Sequence, residues 1–201
     1  MKRITRWQDV TTGMLGSIEG KGFISESIEH MTQRNDLLDG VKTPSHSFVV
    51  INPMFVIESL SHTVLTPLAS YRQAFDEGRV VFYEPPIPVE IRAKALRTIR
   101  RSYLGADYGW GQILAFLPVL FWRRLTGHRA PNLLPIGTIC SELALMAIRE
   151  YRKEAVAAGL HDAARRLVWS VALNRQITDP ALLLACEQRD ALPPTLDGSR
   201  A

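Results

Sequence analysis

Thiols are scarce in this chain of 201 residues: Cys140 and Cys186 are the only two. Two cysteines make no disulfide framework, and their spacing is not that of a metal site. Long apolar runs are also missing. The longest, Ile113 to Trp122, is about ten residues and is interrupted by Pro118, whereas a membrane span takes about 20. The basic start Met1-Lys2-Arg3-Ile4-Thr5-Arg6-Trp7 has no apolar stretch behind it, so it does not read as a secretory signal and a cytoplasmic location is expected. No internal repeat and no low-complexity linker divides the chain. Charge of one sign is not in large excess either, with 24 basic against 20 acidic residues and a net charge of +4. The basic residues Arg92, Lys94, Arg97, Arg100 and Arg101 cluster without interleaved aromatics or a nucleic-acid motif, and no nucleic-acid partner is expected. They read as a solvated helix face, with a surface for anionic head groups or acidic substrates as the second reading.

What remains fits one globular domain. A composition 46% hydrophobic and 22% charged is ordinary for such a unit, placed at residues 1–192 with a flexible tail at 193–201. A loop-rich start containing Gly13, Gly16, Gly20 and Gly22 leads to a short helix around Ser25 to Thr32. Strands follow near His46 to Ile51, Phe55 to Ser59 and Arg79 to Tyr83, then helices over 89–103, 109–125 and 139–158. Residues 165–173 suit strand or helix equally. A further apolar helix begins near Thr178-Asp179-Pro180 and carries Cys186 as a core residue. The expected class is α+β, a small antiparallel sheet packed against helices.

Cys140 opens a helical pattern: Cys140, Leu143, Met146, Ala147 and Tyr151 recur with a period near 3.6. With Thr138 as N-cap, Cys140 stands in the first turn, where unpaired backbone N–H groups favour a thiolate and offer a donor to an oxyanion. A buried structural cysteine is the alternative, since free cysteine is among the most buried residue types. His46 opens the run Ser47-Phe48-Val49-Val50-Ile51, and Phe55-Val56-Ile57-Glu58-Ser59 follows Asn52-Pro53, which reads as a hairpin. A hairpin centred on Asn52 sets His46 directly opposite Glu58 on one face, with Cβ atoms about 5 Å apart. The carboxylate then orients the imidazole; the alternative is a solvated surface pair, and a slip of one residue would separate the two side chains.

The ordered set of a Gly-rich start, Ser25-x-x-Ile28 with Thr32, Ser45-His46 and its strand, Val56-Ile57-Glu58-Ser59, Gly105-x-x-Tyr108, and Cys140-Ser141-Glu142-Leu143 resembles the circularly permuted papain-like amidases of the NlpC superfamily. The branch it most resembles is the bacterial one related to lecithin:retinol acyltransferase, in which histidine precedes cysteine along the chain. The resemblance runs from about Asp9 to Leu184 and includes Ile177-Thr178-Asp179-Pro180-Ala181-Leu182. It implies a permuted papain-like fold and a cysteine-dependent hydrolase of an amide or ester, with Cys140 as nucleophile, His46 as base and Glu58 as orienting residue. Tyr108 matches a tyrosine near the site, for substrate or oxyanion contact. No cofactor or metal is implied. The substrate would be a small-molecule, lipid or peptide acyl compound.

Two departures stand out. Gln8-Asp9-Val10-Thr11 replaces the usual Gly-Asp-Val-Leu, and the stretch from Asn35 to Thr43 is long. Several relatives carry a second histidine as third residue; here Glu58 holds that position, and His62 lies four residues away. Acyltransfer at the same site, peptidoglycan peptide cleavage after delivery by lysis or a phage particle, and a non-catalytic lipid- or peptide-binding module are the alternatives. The run from Ile113 to Trp122 reads as a core helix or as an apolar lip beside the cleft that accepts acyl chains, and peripheral membrane contact is a partner expectation of the lipid reading.

Overall fold

The computed structural model describes residues 1–19, 46–60, 62–107 and 140–167. Six antiparallel strands form one sheet: β1 (Lys2–Ile4), β2 (Leu15–Ile18), β3 (His46–Asn52), β4 (Phe55–Ser59), β5 (Thr63–Pro67) and β6 (Val80–Glu84), in the order β1-β6-β2-β3-β4-β5. Among the described residues four α-helices accompany it: α1 (Arg72–Asp76), α2 (Val89–Tyr103), α3 (Cys140–Ala157) and α4 (His161–Arg165). The class is α+β. None of the described helices is long and apolar enough to cross a membrane. The expected helices at 25–32, 109–125 and after Pro180, the apolar run 113–122, Tyr108, Cys186 and the tail at 193–201 lie outside the described residues.

Alternation along the strands builds a core on each face of the sheet. Leu15, Val49, Ile57, Val81 and Tyr83 point to one side, where Ala95, Leu96 and Ile99 of α2 and Leu143, Ala144, Ala147, Ile148 and Tyr151 of α3 cover them. The spacing in α3 is the apolar stripe read in the sequence, and each fully buried Leu or Ile in it contributes roughly 1.5–3 kcal/mol over an exposed one. Phe48, Val50, Val56, Val80 and Phe82 point to the other side, under Val10, Leu68, Tyr71 and Ala74. This second core is aromatic: Phe48 stacks on Tyr71 at 4.2 Å between centroids, and Trp7 meets Phe75 and Phe82 edge-on.

Helix ends follow local chemistry. The Pro88 carbonyl accepts from Ile91 and Arg92 at the start of α2, with Glu90 in the first turn and Arg100 and Arg101 in the last, complementing the helix dipole. Gly105, with φ of +81°, turns the chain out of α2 and donates to the Thr63 carbonyl, joining the helix to β5. Gly159, with φ of +76°, ends the turn after α3, where Leu160 N–H reaches the Ala155 carbonyl.

Three expectations need correction. The loop-rich start holds two strands, and β2 lies inside the sheet between β6 and β3. Its Gly16 faces Phe48 so closely that a Cβ would lie 2.3 Å from the ring; small residues are what this position requires, and they hide the strand signal. Arg92 does not belong to the solvated basic face. Arg92, Ala95, Leu96 and Ile99 form the buried stripe of α2, and Arg92 Nη2 donates to Glu84 Oε1 at 3.0 Å. Lys94, Arg97, Arg100 and Arg101 are exposed, and Lys94 pairs with Glu154 of α3.

The third correction is the β3–β4 register. Phe48, not His46, stands opposite Glu58, followed by Val49 with Ile57 and Val50 with Val56. The turn is the two-residue Pro53-Met54, because the Asn52 side-chain oxygen accepts from both Met54 and Phe55 N–H and draws the corner tight. A bulge between Val50 and Asn52 leaves Ile51 as the extra residue. The pairing thus moves by two residues from a hairpin centred on Asn52. An even shift preserves the face, so His46 and Glu58 remain on one side as diagonal neighbours.

Candidate active site

His46 begins β3 at the end of the sheet where β4 finishes, and Glu58 is the penultimate residue of β4. Despite the diagonal register, His46 Nε2–H donates to Glu58 Oε2 at 2.7 Å. The His46 side chain keeps 16% of its surface exposed while that of Glu58 keeps 2%, so the imidazole forms the open end of the pair. Glu58 takes further hydrogen bonds from the Tyr71 hydroxyl, at 2.7 Å to the same Oε2, and from the Thr66 side chain.

Cys140 is the first residue of α3, is buried, and is not in a disulfide. α3 packs on β3 and β4, which brings the Cys140 side chain into hydrogen-bonding contact with His46. Glu58 occupies Nε2, which leaves Nδ1 as the nitrogen available to the sulfur.

The protonation states follow from this placement. Burial opposes a charge on His46, but the Cys140 thiolate, by its charge and hydrogen bond, together with Glu58 behind the ring, pushes the imidazole up to about 10. Burial likewise favours neutral Glu58; the bond and charge of His46, then the hydrogen bonds from Thr66 and Tyr71, hold its carboxyl below the ordinary carboxylate value. Burial, followed by the neighbouring Glu58 charge, drives the Tyr71 phenol far above its usual range, so it remains a donor. An imidazole held between a cysteine sulfur and a carboxylate is the arrangement that an activated thiol uses, in which the sulfur is the nucleophile and the ring holds a proton for a leaving group.

Cys140, His46 and Glu58 are therefore brought together. His62 is exposed and bridges to Asp107 through the backbone, while Glu58 is the carboxylate on Nε2. Tyr71 and Thr66 were not anticipated. Tyr71 follows β5 in the one-turn helix Leu68–Tyr71, and no local spacing announces a contact with a residue 13 positions earlier. Among the described residues no three His, Cys, Asp or Glu side chains gather as a metal site. Comparison with protein-family models, curated proteins and solved structures finds no match for this chain.

Proposed function

We propose that the protein is a cysteine-dependent hydrolase that cleaves an amide or ester through a thioester on Cys140, in a permuted papain-like arrangement with histidine preceding cysteine along the chain. The observation that carries this reading is the 2.7 Å bond from His46 Nε2 to a buried, ionised Glu58, with the Cys140 thiol at a helix start on the other side of the same ring. A satisfied core cysteine needs neither a polarised imidazole nor a buried carboxylate.

In this mechanism His46 takes the Cys140 proton, and the sulfur attacks the substrate carbonyl, forming the C–S bond as the carbonyl π pair moves to oxygen. The tetrahedral intermediate collapses with cleavage of the C–N or C–O bond, and the imidazolium gives its proton to the departing amine or alcohol. Neutral His46 then removes a proton from water, the hydroxide attacks the thioester, and the carboxylic acid leaves as the C–S bond breaks and the sulfur departs as thiolate, paired again with the imidazolium. An acyl acceptor in place of water makes the same site an acyltransferase, the nearest alternative. Glu58 does not change protonation state; it holds the ring and stabilises its charge.

The test is intact mass after exposure to activated esters, amides, phospholipids and muropeptides. The expected result is an acyl adduct on Cys140 that disappears on hydrolysis, its formation abolished in Cys140→Ala, nearly abolished in His46→Ala and reduced but measurable in Glu58→Gln, since nucleophile and base act as a unit. If no variant differs from the parent, catalysis at this site is excluded and a non-catalytic binding module takes its place.

A further inference from the structure

The diagonal register raises a question of geometry. Directly opposed residues in a ladder have Cβ atoms about 5 Å apart, whereas diagonal ones stand roughly 7–8 Å apart. Glu58 must therefore reach along the sheet to meet His46, and pairing with Phe48 does not dictate where its three side-chain torsions settle. Something else fixes the carboxylate. The Tyr71 hydroxyl donates to Glu58 Oε2 at 2.7 Å, the same oxygen and the same distance as His46 Nε2. The Tyr71 ring cannot follow a wandering carboxylate, because it is buried and stacked on Phe48, the residue across the ladder from Glu58. The turn carrying Tyr71 is itself tied to the hairpin, with Leu68 N–H donating to the Met54 carbonyl at 2.8 Å.

We infer that Tyr71 is a positioning residue: it clamps Glu58 at the reach that meets His46, and through Glu58 supports the Cys140–His46 pair. This rests on the thiol-hydrolase reading of the same site. The groups that set the charge of His46 are Cys140 from α3 and Glu58 from β4; those acting on Glu58 are His46 from β3, Thr66 from β5 and Tyr71 from the following turn. Glu142, two residues along α3 from Cys140, is also buried. Tyr71 is the one of these whose ring is fixed by an aromatic stack and whose hydroxyl shares Oε2 with the imidazole.

Tyr71→Phe removes the hydroxyl and keeps the stack; Tyr71→Leu removes both. The readout is the pH dependence of Cys140 alkylation by iodoacetamide, located by peptide mass, with thermal melting alongside. Tyr71→Phe is expected to melt close to the parent but to move the acid limb of Cys140 alkylation up by roughly half a pH unit or more, slowing the reaction near pH 6 about threefold or more. In a Glu58→Gln background the same substitution is expected to add at most a small further shift, because the groups act in series. Equal shifts in both backgrounds, or a Tyr71→Phe profile like the parent's with loss only in Tyr71→Leu, would overturn the clamp while leaving the thiol site standing. A parent Cys140 that alkylates as a free thiol overturns the thiol site, and the clamp with it.

Discussion

His46 carries the largest consequence of any single residue here, because the two groups that raise its pKa lie on opposite sides of its ring. Burial alone would make it neutral near pH 7; the thiolate and the carboxylate keep it charged up to about pH 10. That value belongs to the resting pair; once the sulfur is bonded to substrate its charge no longer supports the ring, so the rate of leaving-group expulsion should fall as pH rises through a midpoint below about 10. Cys140→Ala removes one source of the charge while leaving burial in place, and NMR titration should find the His46 midpoint well below the parent's. A midpoint unmoved by the substitution would mean that the sulfur does not act on the ring. His46 and Cys140 were legible because each opens a patterned segment, and Glu58 because a hairpin around Asn52 sets it on the same face as His46. Tyr71 was not, since its contact depends on how a turn folds back over the hairpin rather than on any spacing.

Among the elements, the β2–β3–β4 unit positions the site. Strand parity was readable from alternation alone: an even shift keeps His46 and Glu58 on one face, so the expected partnership survives although the register differs by two. The register itself was hidden in the Asn52 side chain, which tightens the corner, and in the bulge at Ile51. β2 was hidden for a related reason. Gly16 has no side chain because the Phe48 ring occupies that space, with the nearest ring atom 2.3 Å from where a Cβ would lie. Gly16→Ala should therefore cost about 1–3 kcal/mol of stability through overpacking. Displacing Phe48 also disturbs its stack on Tyr71, so the loss in urea denaturation should be accompanied by slower Cys140 alkylation. Unchanged stability would show that β2 and β3 do not meet as closely as described.

For the whole molecule, one sheet with a core on each face joins chemistry that the chain keeps far apart. The helix-side core seats α3 and thereby Cys140; the opposite, aromatic core seats Tyr71 and with it Glu58. His46, at the end of β3, meets both. Class and the longer helices were legible from composition and period, with α2 running from 89 to 103 as read. The burial of Arg92 was obscured because charge outweighs periodicity when a helix face is judged from sequence, although its place in the stripe with Ala95, Leu96 and Ile99 was visible. The measurement that tests the central claim most directly requires no knowledge of the substrate: iodoacetamide labelling of the native protein as a function of pH, with both thiols followed by peptide mass. Cys140 is expected to react well below the free-thiol pKa of about 8.5, with Cys186 left unmodified under the same conditions. Equal labelling of the two, or labelling of Cys186 first, would contradict an activated thiol at the start of α3.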